Sequence, residues 1–140
     1  MLETEKALVV DVDGTLCPIR AEGEAYADLA PEPHMLARLR AMKAQGWHII
    51  LHSARGMRST GGNMGRIGAT VAPGLLDWLA RHDVPFDELH LGKPWPGRQG
   101  FYVDDRAVRP REFLEMGLDD LAALVERDRV ARAPVAENTP

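Results

Sequence analysis

Ala7-Leu8-Val9-Val10-Asp11-Val12-Asp13-Gly14-Thr15-Leu16 is a short apolar run that delivers two carboxylates, one residue apart, onto a glycine-bearing turn. It reads as a strand, because an unbroken aliphatic run precedes the first charge. Side chains alternate along a strand, so Asp11 and Asp13 face one pocket while Val12 turns into the core. Two carboxylates in one pocket repel, and a hard cation with oxygen ligands relieves that repulsion, which makes Mg²⁺ the expected guest. Gly14 permits a sharp turn at the strand end, and Thr15 adds a hydroxyl and an amide suited to holding an anion. The constellation points to phosphate chemistry on a divalent metal.

Outward from this run, strand signals alternate with helix signals, the pattern of an α/β domain with a mainly parallel sheet. Residues 17–31 read as irregular. Pro31-Glu32-Pro33 then opens a helix with Met35, Leu36, Leu39 and Met42 on one face, closed by Gly46. Trp47 to His52 reads as a buried strand ending at Ser53-Ala54-Arg55, and the glycine-rich stretch Gly56 to Gly68 reads as a long loop. A helix is expected over Val71 to His82 with Leu75, Leu76 and Leu79 inward. Strands are expected at Glu88 to Leu91 and at Gly100 to Val103, and helices over Glu112 to Met116 and Leu118 to Val130. Residues 1–131 are read as one domain, and 132–140, which lack apolar spacing, as a tail.

Candidate polar residues fall where expected strands finish: Asp11 and Asp13, Ser53, Lys93, and Asp104 with Asp105. Ligands of open α/β sheets bind outside the carboxyl ends of the strands, so these distant residues are positioned to converge. Each alone has a bland reading as a cap, a solvated lysine or a turn. Their order, each after an apolar strand, argues for a common site.

With these residues in place the sequence resembles the haloacid dehalogenase superfamily of phosphohydrolases. Its four motifs correspond to Asp11-Val12-Asp13-Gly14-Thr15, Ser53, Lys93 and Asp104-Asp105. Ser53-Ala54-Arg55, Gly62-Asn63-Met64-Gly65, Gly92-Lys93-Pro94-Trp95 and Phe101 to Pro110 are similar to the small capless branch known as capsule biosynthesis phosphatases. The resemblance implies a Rossmann-like three-layer sandwich around a mainly parallel sheet, without a cap domain. It implies Asp11 as nucleophile, Asp13 as acid and base, Ser53 as a donor to a phosphoryl oxygen and Lys93 as charge balance. It implies Mg²⁺ on the Asp11 carboxylate, the Asp13 backbone carbonyl, and Asp104 and Asp105. Of that last pair Asp105 is favoured as the inner ligand. Gly14, Thr15, Ala54, Arg55, Asn63 and Arg66, with Arg58 nearby, are the expected substrate contacts.

A formal charge of −4 with dispersed basic residues provides no electrostatic footprint for nucleic acid. A single cysteine, Cys17, is expected to be a buried packing residue, and no apolar run approaches the ~20 residues of a membrane span. The cytoplasm is the expected compartment. The sequence thus leads to a phosphatase for a phosphorylated small molecule, a sugar or polyol phosphate in surface-polysaccharide assembly. A nucleotidase or polynucleotide end phosphatase would use the same motifs, and a non-catalytic metal-binding scaffold is the alternative of another class. An open site also suits a bulky substrate or completion by a second copy in a homo-oligomer.

Overall fold

The computed structural model describes residues 5–133, so residues 134–140 of the expected tail lie outside the described part. The chain divides into two compact units, Met1–Gln99 and Gly100–Pro140. In the first, β1 (Ala7–Asp11), β2 (His48–Ser53) and β3 (Glu88–Leu91) form a parallel sheet in the order β1-β2-β3 among the described residues. The fold is α/β and Rossmann-like, as the alternation of strand and helix signals predicts.

Parallel strands need crossovers, and the first unit supplies them as helices. α1 (Pro33–Ala44) starts with Pro33 in its first turn and with the Glu32 carboxylate accepting from Met35 N at 2.6 Å, which satisfies one of the unpaired amides of that end. Its spacing buries Met35, Leu39 and Met42, while Leu36 is only half-buried. Val12, Leu16, Ile49, Leu51, Ile67, Leu75, Trp78 and Leu79 are also buried in this unit. Each large apolar side chain so enclosed contributes about 1.5–3 kcal/mol of burial free energy.

Three expectations are corrected. The stretch from Gly56 to Gly68 is not a loop but holds α2 (Met57–Thr60) and part of α3 (Met64–Thr70), because Asn63 caps α3 by accepting from Arg66 N at 3.1 Å. In α4 (Ala72–Arg81), Leu76 is 46 % exposed, since Leu75, Trp78 and Leu79 already fill the buried stripe. Residues 100–103 form no strand among the described residues; Phe101 and Val103 are 78 % and 89 % exposed. Apolar composition gives strand propensity, but a strand also needs a ladder neighbour. The second unit is built on α5 (Pro110–Glu115) and α6 (Leu118–Asp128), which bury Phe113, Leu121 and Leu124.

Candidate active site

The register of the sheet explains how residues far apart in sequence meet. Asp11 ends β1 opposite His52, Ser53 ends β2 opposite Leu91, and Lys93 follows β3 by two residues. Lys93 N continues the ladder by donating to Ser53 O at 3.1 Å. Gly92, at φ +82°, makes this bend possible: a Cβ there would stand 2.6 Å from Met64 Sδ. Lys93 Nζ consequently reaches Asp11 Oδ1 at 3.2 Å.

Beyond β1 the chain turns back on itself. Val12 is fully buried, and Gly14, at φ +86°, donates its amide to Cys17 O at 2.8 Å. Thr15 donates its hydroxyl to Asp11 Oδ2 at 3.4 Å and its amide to Val12 O at 3.2 Å. The amide of Thr15, expected to hold an anion, and that of Gly14, an expected substrate contact, are therefore engaged within the turn. Charge balance at this end of the sheet comes from side chains instead.

The chief of these is Arg55. Its side chain is 4 % exposed and forks onto Asp13, Nε donating to Oδ2 and Nη2 to Oδ1, both at 2.9 Å. Burial works against the guanidinium charge, yet the hydrogen bonds and attraction of Asp13 hold its pKa above the ordinary value. Arg55 N also donates to Ser53 Oγ at 3.1 Å, leaving the hydroxyl hydrogen to seek another acceptor. Asp11, Lys93, Ser53, Arg55 and Asp13 are thus linked in one chain of contacts. Arg55 was expected among substrate contacts, and its guanidinium is occupied by Asp13.

Cys17 is buried, as expected, with its thiol pushed up to about 11 by burial and by Asp13, so it remains a thiol near neutrality. The His52 imidazole, in register with Asp11, is held below its usual value by burial and by Lys93 and His90, against the pull of Asp11. Asn63 and the amide of Arg66 are engaged in the cap of α3, while Ala54 O accepts from Met57 N at the start of α2. Arg58 lies over the half-exposed Trp95 ring, 5.5 Å from its centroid.

Asp104 and Asp105 belong to the second unit. There Asp104 Oδ1 accepts from Arg106 N at 2.8 Å, and Asp105 Oδ2 accepts from Arg129 Nε at 2.9 Å. The Arg129 bond is the main cause holding the Asp105 carboxyl below the usual carboxylate range.

Among the described residues, no three His, Cys, Asp or Glu side chains gather closely enough to hold a metal ion. The donor chemistry still suits Mg²⁺, which is commonly bound by one or two carboxylates while water and phosphate complete its shell. The Asp11 carboxylate is one-third exposed and so reachable by such an ion.

No protein-family model and no curated protein matches the chain. A crystal structure of a protein from Vibrio cholerae is similar over 89 % of this chain and 99 % of its own, at 41 % identity and a TM-score of 0.83. That match defines a Rossmann-like α/β class. The chain belongs to the family of this Vibrio cholerae protein. Slighter likenesses link it to D,D-heptose 1.7-bisphosphate phosphatase from B. bronchiseptica, crystallised with magnesium and phosphate, at 16 % identity over 67 % of this chain and 53 % of that one, TM-score 0.45. The Pnkp1/Rnl/Hen1 RNA repair complex is similar at 21 % identity over 67 % of this chain and 28 % of that one, TM-score 0.48. At this level neither likeness bears on the reaction. No helix among the described residues is long and apolar enough to cross a membrane.

Proposed function

We propose that the chain is a Mg²⁺-dependent phosphatase that hydrolyses a phosphate monoester of a small molecule through an aspartyl-phosphate on Asp11. A sugar or polyol phosphate of capsule or surface-polysaccharide synthesis is the proposed substrate class, on the motif resemblance alone. The observation that carries the reaction is the unequal partnering of two neighbouring carboxylates: Asp11 faces Lys93 at 3.2 Å, while Asp13 is gripped by the Arg55 fork. A flexible ammonium can follow charge onto a phosphoryl group, whereas a bidentate guanidinium fixes its carboxylate in place. That difference suits Asp11 to attack phosphorus and Asp13 to transfer protons.

In the first step, which Asp13 enters in its protonated form, an Asp11 oxygen bonds to phosphorus, the bond from phosphorus to the leaving oxygen breaks, and Asp13 gives that oxygen its proton. In the second, a water oxygen bonds to phosphorus, Asp13 takes its proton, and the Asp11–phosphorus bond breaks to release inorganic phosphate. Asp13 Oδ2 keeps a lone pair beyond its bond to Arg55 for this exchange, whereas Oδ1 accepts from Cys17 Sγ at 3.6 Å as well as from Arg55. Ser53 would donate to a phosphoryl oxygen and Lys93 would offset its charge. Mg²⁺, held by the Asp11 carboxylate and the Asp13 carbonyl, would screen the phosphate dianion from the attacking carboxylate, and the motif resemblance adds Asp104 and Asp105 as metal ligands.

The deciding experiment incubates the purified chain with sugar phosphates, polyol phosphates, nucleotides and 3′-phosphorylated oligonucleotides, with Mg²⁺ and after exhaustive chelation. Release of phosphate from small esters, abolished by chelation and restored by Mg²⁺, is expected. Preference for nucleotides or oligonucleotide ends would replace the substrate class, and the absence of any turnover would favour a binding scaffold.

A further inference from the structure

The Arg55 fork has a cover of its own. Tyr26, on the 3-10 turn Tyr26–Asp28, lies with its ring centroid 4.0 Å from the Arg55 guanidinium carbon, and Cys17 Sγ lies 3.9 Å from Nη2. Tyr26 is itself 40 % exposed. Arg20 also lies over the ring, at 4.8 Å. The turn is pinned on either side of Asp28: Trp78 Nε1 donates to Leu29 O at 2.7 Å, and Arg81 Nη2 to Ala27 O at 3.4 Å. An otherwise irregular segment thus sets one aromatic face on the cation that grips Asp13.

We propose that Tyr26 is a positioning residue, holding Asp13 in its proton-transfer geometry by keeping the Arg55 guanidinium stacked and out of water. The inference rests on the phosphatase reading above. A guanidinium against an aromatic face is attracted to the ring, and water kept from the ion pair cannot compete for its hydrogen bonds. Removing the ring opens that side of Arg55 to solvent and lets the fork loosen. Displacement of a proton-transfer group by about 1 Å is enough to cost roughly 10²-fold in rate. The loss falls on steps that need Asp13. The attack by Asp11 on a substrate with a good leaving group is spared.

The test compares Tyr26→Phe, Tyr26→Leu and the wild type by two readouts. The first is solvent exchange of the Arg55 Nε–H, followed by NMR without substrate. Exchange should accelerate in Tyr26→Leu and return to the wild-type rate in Tyr26→Phe, which keeps the ring. The second is the ratio of kcat/KM for an alkyl against an aryl phosphate, which reports phosphoenzyme formation alone, with quenched phosphoenzyme measured on the aryl ester. In Tyr26→Leu that ratio should fall about 10-fold or more, and on the aryl ester phosphoenzyme should accumulate because the second step lacks a placed base. Tyr26→Phe should restore both. Unchanged exchange in Tyr26→Leu overturns the shielding. Faster exchange with equal losses of kcat/KM on both esters, or none, overturns the positioning role. A wild type that forms no phosphoenzyme and releases no phosphate overturns the parent reading, a result distinguishable because the exchange readout needs no turnover.

Discussion

The two acidic pairs of this chain look alike in sequence and are held in opposite ways. Asp11 and Asp13 lie at and just beyond the end of β1, each matched to a different cation that follows β2 or β3, and the Arg55 partner is almost wholly enclosed. Asp104 and Asp105 lie between elements, where Asp105 meets Arg129 at a contact whose two side chains are 39 % and 46 % exposed. Exposed pairs gain little from attraction because water screens them, whereas an enclosed fork fixes both position and charge. Carboxylates in the first setting are built to do one thing each. Those in the second are held by contacts that water screens.

The contrast within the first pair breaks most sharply on Asp11. Asp11→Asn removes the attacking oxygen but keeps the shape, so turnover and covalent phosphoenzyme should both fall below detection. Wild-type turnover in this variant would end the mechanism. Asp13→Asn should lower kcat on an alkyl phosphate by about 10²–10⁴-fold, the usual worth of a positioned proton-transfer group. An aryl phosphate needs little protonation, so Asp13→Asn should still form the adduct with it and then stall. Mass spectrometry of the quenched Asp13→Asn protein should place the added phosphate on Asp11; an adduct on another residue, or one on Asp13 in Asp11→Asn, would overturn the assignment of roles.

How far these roles were legible in sequence follows from the range of the contacts. β1, β2 and β3 announced themselves as apolar runs between turn residues, and the convergence of Asp11, Ser53 and Lys93 follows from strand ends in a parallel sheet. The Arg55–Asp13 fork spans 42 residues of sequence, and nothing local distinguishes Arg55 from Arg58 three positions on. Arg55 was readable as a substrate contact, not as the partner of Asp13. The Gly56–Gly68 stretch misled because glycine frequency outweighed one real signal, Asn63 as a cap for the helix after it. Residues 100–103 misled for another reason: their composition favours a strand, but the formation of one depends on a neighbour that sequence does not name.

A finer comparison separates Asp104 from Asp105. If both serve the metal, Asp105→Asn should weaken Mg²⁺ activation by at least about tenfold in the concentration required, and Asp104→Asn by less, since a group acting through water tunes rather than anchors the ion. Mg²⁺ titration of phosphatase activity reads both. Equal activation curves for the two variants and the wild type would remove the second pair from the site.

The smallest expected effect is on stability, and it tests whether the two arginine partners differ as their surroundings say. Arg55→Met keeps much of the buried aliphatic stem but leaves Asp13 with no cation, and an ion pair broken on one side costs more than the pair was worth. Asp13 retains some access to water, its side chain being 25 % exposed, which discounts the penalty to about 1–3 kcal/mol. Arg129→Ala removes a contact between two exposed side chains, so its midpoint in thermal denaturation should stay at the wild-type value. The measurement is therefore a pair of melting curves at one pH and salt concentration, with Arg55→Met displaced downward and Arg129→Ala superimposed on the wild type. Added salt should leave the Arg55→Met deficit largely intact, because the fork that it lost is shielded from mobile ions. Equal displacement of the two variants would mean that enclosure does not set the Arg55–Asp13 pair apart, and the division between fixed and mobile carboxylates would go with it.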